Sequence, residues 1–93
     1  MNITPLGLKD KLEKGDVLLI DVREPSEFAE GYIKGAHLIP LGELSARALP
    51  RKDLPIVFYC RSGVRSLTAC KKVLEEDPKL EVYSLEGGIL EWK

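Results

Sequence analysis

Ile56-Val-Phe-Tyr-Cys60-Arg-Ser-Gly-Val-Arg65-Ser-Leu-Thr-Ala-Cys70-Lys-Lys-Val-Leu-Glu-Glu76-Asp-Pro78 is the stretch on which the fold turns. Its first four residues are continuously apolar rather than alternating, the mark of a strand covered on both faces. A short glycine-containing turn follows. From about Gly63 to Glu76 the pattern changes to a helical period: Leu67, Ala69, Cys70, Val73 and Leu74 share one face, and Lys71, Lys72, Glu75 and Glu76 share the other. Asp77-Pro78 ends it, because proline has no amide to continue the ladder and excludes the helical conformation from the residue before it. A buried strand that runs straight into an amphipathic helix is half of a crossover unit.

The same grammar extends outward. Val17-Leu-Leu-Ile20 is a second continuously apolar strand, Glu81-Val-Tyr-Ser-Leu85 reads as a further buried strand, and His37-Leu-Ile39 and Met1–Ile3 are short strand candidates. Thr4-Pro5 reads as a cap followed by proline at the first helical position, with Gly15 closing that helix. Pro25–Glu30 reads as a short helix stopped by Gly31, and Leu41–Leu49 as another, ended by Pro50. Strands alternating with helices predict a mainly parallel central sheet with helices on both faces. Residues 1–93 suffice for one such α/β domain and are too few for two.

Composition narrows the partners. Hydrophobic residues make up 44%, charged residues 31%, and the net charge is −1, which fits a soluble globular protein and gives nucleic acid or an anionic membrane no basic surface. The N-terminus has no basic run followed by an apolar one, and Val17–Ile20 is far too short to span a bilayer. Two cysteines make no disulfide framework; Cys70 lies about 10 Å up the helix axis from its start, too far for Cys60. Free thiols point to a reducing compartment, and a cytoplasmic setting is expected. No long apolar stripe demands a partner, so a monomer or weak dimer is expected.

In open α/β sheets ligands bind beyond the carboxyl ends of the strands. That rule selects Asp21-Val-Arg23-Glu24 after one strand and Cys60-Arg61-Ser62-Gly63-Val64-Arg65-Ser66 after another. At the second, the amides of the turn and the positive helix end point back at the sulfur. Such thiols titrate at about 3.5–7.5 rather than about 8.5, which makes Cys60 a nucleophile at neutral pH. Arg65 at the amino end and Glu75, Glu76 and Asp77 at the carboxyl end run against the helix dipole. An anion held between Arg61, Arg65 and the helix end would reconcile them.

Simpler readings compete. A cysteine at a strand end can be a small hydrophobe, and that account suits Cys70, which lies on the apolar helix face. Arg61 and Arg65 can be solvated charges; the place of Arg65 at the close of the loop favours substrate contact. Asp21 and Arg23 read as a structural brace, since a buried carboxylate beside a guanidinium needs no chemistry to explain it. His37 has no other candidate ligand nearby in sequence, so packing and one hydrogen bond are expected of it, and no metal site. Gly87-Gly88 reads as a turn for close backbone approach, and Trp92 as core.

Three segments resemble the rhodanese domains. Asp21-Val-Arg-Glu-Pro-Ser-Glu27-Phe28 with Gly31-Tyr-Ile-Lys-Gly35-Ala-His37-Leu-Ile-Pro40 is similar to their amino-terminal signature. Cys60–Ser66 is similar to their active-site loop, and Leu85-Glu-Gly-Gly-Ile-Leu-Glu-Trp92 to their carboxyl-terminal one. Tyr32 departs from the family, which often has histidine there, at a position expected to lie away from the loop. The chain ends directly after Trp92, earlier than many members of that family, so the last helix is expected to be cut short.

The resemblance implies a rhodanese-like fold and a ping-pong sulfurtransferase without cofactor or metal. Cys60 would take a sulfur from a small anionic donor such as thiosulfate as a persulfide, then pass it to cyanide, a thiol or a thiol protein. Loop amides would hold the persulfide, and Arg61 and Arg65 would orient the donor; mercaptopyruvate-using relatives tend to have a less charged loop. Two other functions stay in play. Rhodanese-like domains without the cysteine are binding modules. Cysteine phosphatases and arsenate reductases of related fold place arginine six positions after the cysteine, whereas here Arg65 comes five after Cys60.

Overall fold

The computed structural model describes residues 2–92. Five parallel strands, β1 (Asn2–Ile3), β2 (Leu18–Asp21), β3 (His37–Leu38), β4 (Ile56–Tyr59) and β5 (Val82–Leu85), form one sheet in the order β1-β5-β4-β2-β3. Helices α1 (Pro5–Lys14), α2 (Pro25–Ala29) and α3 (Val64–Glu76) connect them, with 3-10 turns at Leu41–Glu43, Ala46–Ala48 and Gly88–Glu91. Asn2 and Ile3 pair with β5, so the expected edge strand exists, apart from Met1, which lies outside the described residues.

Strand alternation sorts the core into two layers. Leu18, Ile20, Ile56 and Phe58 face α3, where they meet Ala69, Cys70 and Val73. Leu19, Val57, Tyr59 and Leu85 face the other way, onto Leu8 and Leu12 of α1. Helices therefore cover both faces, and β2 and β4 are buried along their whole length, as continuous apolar runs require. Burying one side chain of the size of Ile56 or Phe58 contributes roughly 1.5–3 kcal/mol. Among the described residues no helix is long and apolar enough to cross a membrane.

The caps of α1 follow the sequence. Thr4 Oγ1 accepts the Gly7 amide at 3.0 Å, Pro5 opens the helix, and Gly15 closes it at φ 70°. The helix expected over Leu41–Leu49 does not form. Leu44 and Ser45 are extended between two 3-10 turns, and the Ser45 hydroxyl caps the second by accepting the Ala48 amide at 3.2 Å. The break turns Leu44, Ala46 and Leu49 together into the α3-side core, and Gly42 lowers the cost of abandoning the helix. On α3, Leu67 is 38% exposed and Ser66 is fully buried in its stead, so the buried stripe starts on a polar residue. His37 is exposed on the edge strand rather than packed. Trp92 is half-buried against the α1-side core.

The strand order reverses at β2: the chain leaves it for β3 on one side and returns through β4 on the other. Connections depart in opposite directions there, opening a crevice between the carboxyl ends of β2 and β4. Asp21-Val-Arg23 and Cys60 stand on its two sides.

Candidate active site

Cys60 follows β4 directly, continues the Ile56, Phe58 side of that strand, and is 1% exposed. The chain then turns back through Gly63, at φ 109°, so that the Gly63 amide donates to Cys60 Sγ at 3.1 Å. Burial alone would push the thiol up. The Ser66 amide and hydroxyl and the amides of Gly63 and Ser62 outweigh it, and the Cys60 thiol titrates below its ordinary value. The Ser66 hydroxyl lies 3.7 Å from the sulfur, donates to the Gly63 carbonyl at 3.1 Å, and meets the Ser84 hydroxyl at 2.6 Å.

The carbonyl side of the loop is held as firmly. The Ile89 amide donates to the Cys60 carbonyl at 2.9 Å, and the Leu90 amide to the Arg61 carbonyl at 3.2 Å. Gly88, at φ 61°, makes that approach possible: a Cβ there would lie 2.3 Å from the Arg61 oxygen and 2.6 Å from the Cys60 oxygen. With the carbonyls turned toward residues 88–91, the loop amides are left to face the sulfur.

Asp21 and Arg23 form the brace expected of them. The buried Asp21 carboxylate accepts the Arg23 backbone amide at 2.9 Å and its guanidinium at 2.8–3.1 Å. Arg23 Nη2 also donates to the Gly31 carbonyl at 2.7 Å, and the Ile33 amide donates to the buried Tyr59 hydroxyl at 3.1 Å. These bonds tie the end of β2 and the tip of β4 to the segment after α2. Burial raises Tyr59 far above the ordinary phenol value, which keeps it neutral.

Arg65 differs from expectation. Its guanidinium makes a two-pronged ion pair with Glu27, at 2.7 and 3.0 Å, rather than standing free for a substrate. Glu27 is held down to about 2, first by Arg65 and then by the Glu24 amide of its own helix cap. The anion that offsets Arg65 at the positive helix end is thus partly supplied by the protein. At the other end, Glu76 accepts the Ala46 amide at 2.6 Å, which explains an acid placed against the dipole. Arg61, Ser62 and Val64 are exposed at the loop surface.

Tyr32 does not lie away from the loop. It stacks on Phe28 with ring centroids 4.2 Å apart and, with Arg23, Glu27, Arg61 and Leu90, lines an open cleft of about 590 Å³. Cys60 does not line that cleft, although its neighbour Arg61 does. Sequence reasoning missed Tyr32, Glu27 as the partner of Arg65, and Ser84. The spacing of Glu24 and Glu27 announces a helix cap, but nothing in it points to an arginine 38 positions on.

A family model described as the rhodanese-like domain matches residues 4–93. The chain belongs to the rhodanese-like domain family. This rhodanese-like domain is 42% identical over 79 residues to a sulfurtransferase of Allochromatium vinosum, covering 83% of the chain and 72% of that protein. It is 45% identical over 75 residues to the Bacillus subtilis protein YqhL, covering 80% of the chain but only 59% of YqhL. Its fold superposes on the human single-domain sulfurtransferase TSTD1 with a TM-score of 0.85 and 26% identity, over 98% of the chain and 93% of TSTD1. Of these, the Allochromatium vinosum protein and TSTD1 are named as sulfurtransferases.

Proposed function

We propose that the chain is a sulfurtransferase in which Cys60 carries sulfur as a persulfide, with thiosulfate or a similar anion as donor. The carrying observation is the Cys60 sulfur itself, held 3.1 Å from the Gly63 amide within a loop whose amides and hydroxyl outweigh its burial. In the first step the thiolate attacks the outer sulfur of thiosulfate. A new S–S bond forms, the donor S–S bond breaks, and its electron pair leaves on sulfite. The charge left on the protein is a persulfide anion, to which the amides that favoured the thiolate are suited. In the second step cyanide, a small thiol or a protein thiol takes the outer sulfur, and the thiolate returns. No proton transfer is needed at the leaving group, so the absence of a general acid from the Asp21–Arg23 brace is no obstacle.

Arg61 is the exposed guanidinium of the loop and the group that would attract the donor. The role expected for Arg65 is narrower, since its charge is shared with Glu27: it positions the loop against α2 and adds a weaker pull on the donor. The test is intact mass after thiosulfate treatment. A gain of one sulfur atom that disappears in Cys60→Ala supports transfer, and no gain supports a binding module. A panel of donors then ranks thiosulfate against mercaptopyruvate, with thiosulfate expected to be faster. Hydrolysis of a phosphate ester lost in Cys60→Ser would favour the phosphatase reading instead.

A further inference from the structure

We infer that Ser84, on the strand next to the loop strand, is a positioning residue that keeps the Ser66 hydroxyl proton available to the Cys60 sulfur. The inference rests on the reading of Cys60 as the nucleophile.

Ser84 sits within β5, in register with Phe58 of β4 and Asn2 of β1, where an apolar residue would be expected. Its neighbours in the strand follow the two-residue alternation. Val82 packs in the α3-side core and Leu85 in the α1-side core, which sends the Ser84 side chain toward α3. There it is 1% exposed and its hydroxyl lies 2.6 Å from that of Ser66, itself fully buried.

Counting protons assigns the direction. Each hydroxyl has one proton to give and two lone pairs. Among the described residues, Ser84 Oγ has Ser66 Oγ as its one side-chain partner, so a Ser84 that only accepted would bury its own proton without an acceptor. Ser84 therefore donates to Ser66. The Ser66 proton, not spent on Ser84, goes to the Gly63 carbonyl at 3.1 Å while Cys60 is a thiol, whose S–H points at Ser66 across 3.7 Å. Every bonding capacity of Ser66 is then used: one donated bond and two accepted.

Loss of the Cys60 proton removes one of those accepted bonds and creates an anion at the same place. The Ser66 hydroxyl then turns its proton from the Gly63 carbonyl to the sulfur, while Ser84 continues to hold the Ser66 oxygen. Donation by Ser84 polarises the Ser66 O–H as well as placing it, since bonds in such a buried chain strengthen one another. The strand thus acts on the nucleophile through a residue it never touches the sulfur to reach.

The readout is the pH profile of iodoacetamide alkylation at Cys60, located by peptide mass, with no sulfur donor present. Ser84→Ala should shift the profile to higher pH and slow alkylation below neutrality by about threefold to tenfold, as expected for the loss of one hydrogen bond in the chain. Ser84→Thr, which keeps a hydroxyl, should lie closer to the parent. In a Ser66→Ala background the Ser84→Ala change should have no further effect, because its intermediary is gone. A Ser84→Ala protein that loses thermal stability but keeps the parent profile would show that Ser84 only fills the core. An equal shift with and without Ser66 would also overturn the inference. The outcome is separate from that of the mass experiment: absence of a sulfur adduct strikes at sulfur transfer, and an unmoved profile strikes at Ser84.

Discussion

Cys60 and Cys70 lie in the same hydrophobic layer, 1% and 0% exposed, and neither is in a disulfide. Their chemistry is nonetheless opposite. Burial pushes the Cys70 thiol up to about 11, whereas the Cys60 thiol is drawn below its ordinary value. Both are removed from water, so desolvation does not separate them. What differs is the backbone around each. Cys70 lies inside α3, where the amides are committed to the helix ladder; Cys60 lies just before it, where the amides of Ser62, Gly63 and Ser66 have no earlier carbonyl to meet. The lowering of the Cys60 thiol is a consequence of where a helix begins.

The contrast can be broken most completely by exchanging side chains. Cys60→Ala should lower sulfur transfer by roughly three orders of magnitude or more, as for other lost nucleophiles, while Cys70→Ala should keep transfer and cost about 1 kcal/mol of stability. Steady-state rates beside urea melts would check both, and a large activity loss in Cys70→Ala would contradict the inert role. The next largest effect should come from Gly88→Ala. Its Cβ would collide with the Arg61 and Cys60 carbonyls, so the loop must shift and the amides leave the sulfur. Transfer should fall about a hundredfold for a displacement near 1 Å. Stability should fall by roughly 2–4 kcal/mol, from left-handed strain and overlap together. If Gly88→Ala retains full activity, the carbonyl clamp is not what organises the loop.

Titration sharpens the same comparison. Cys60 should be alkylated readily at neutral pH and Cys70 should not, as peptide mass would show. Because folding raises the Cys70 thiol from 9.0 to about 11, its contribution to stability is whole below pH 9 and is lost as pH climbs toward 11. The Cys70→Ala protein should therefore lose less stability over that window in urea melts; parallel curves would refute the shift. The smallest effect concerns Glu27→Gln, which releases the Arg65 charge beside the Cys60 loop. The KM for thiosulfate should fall about twofold to threefold at low ionic strength, and the gain should fade with added salt. No salt dependence would place Arg65 outside the donor's field.

Local chemistry made much of this legible from the chain alone. Thr4, Pro5 and Gly15 bound α1, and Gly63 and Asp77 bound α3, because caps and breakers act within a few residues of themselves. The strand Ile56–Tyr59 is where its apolar run lies, and Cys60 follows from the junction of that strand with a helix. Long-range choices were hidden. Leu41–Leu49 has helical residues, yet the core claims Leu44 and Leu49 from two separate turns. Arg65 looked free because Glu27 lies on another helix. Ser84 reads as one polar residue in a strand, and only the approach of α3 gives its hydroxyl a partner. Tyr32 seemed remote because its sequence distance from the loop says nothing of a cleft that the two share.

The pairing of β1 with β5 and the clamp from Ile89 and Leu90 have a consequence for the moment of birth. A ribosome makes Cys60 well before it makes the residues that hold the loop carbonyls in place, and the first strand waits for the last. A nascent chain therefore carries an ordinary, weakly ionised thiol. The loop that lowers the Cys60 thiol is complete only after Leu90 has emerged, when the domain closes as a unit.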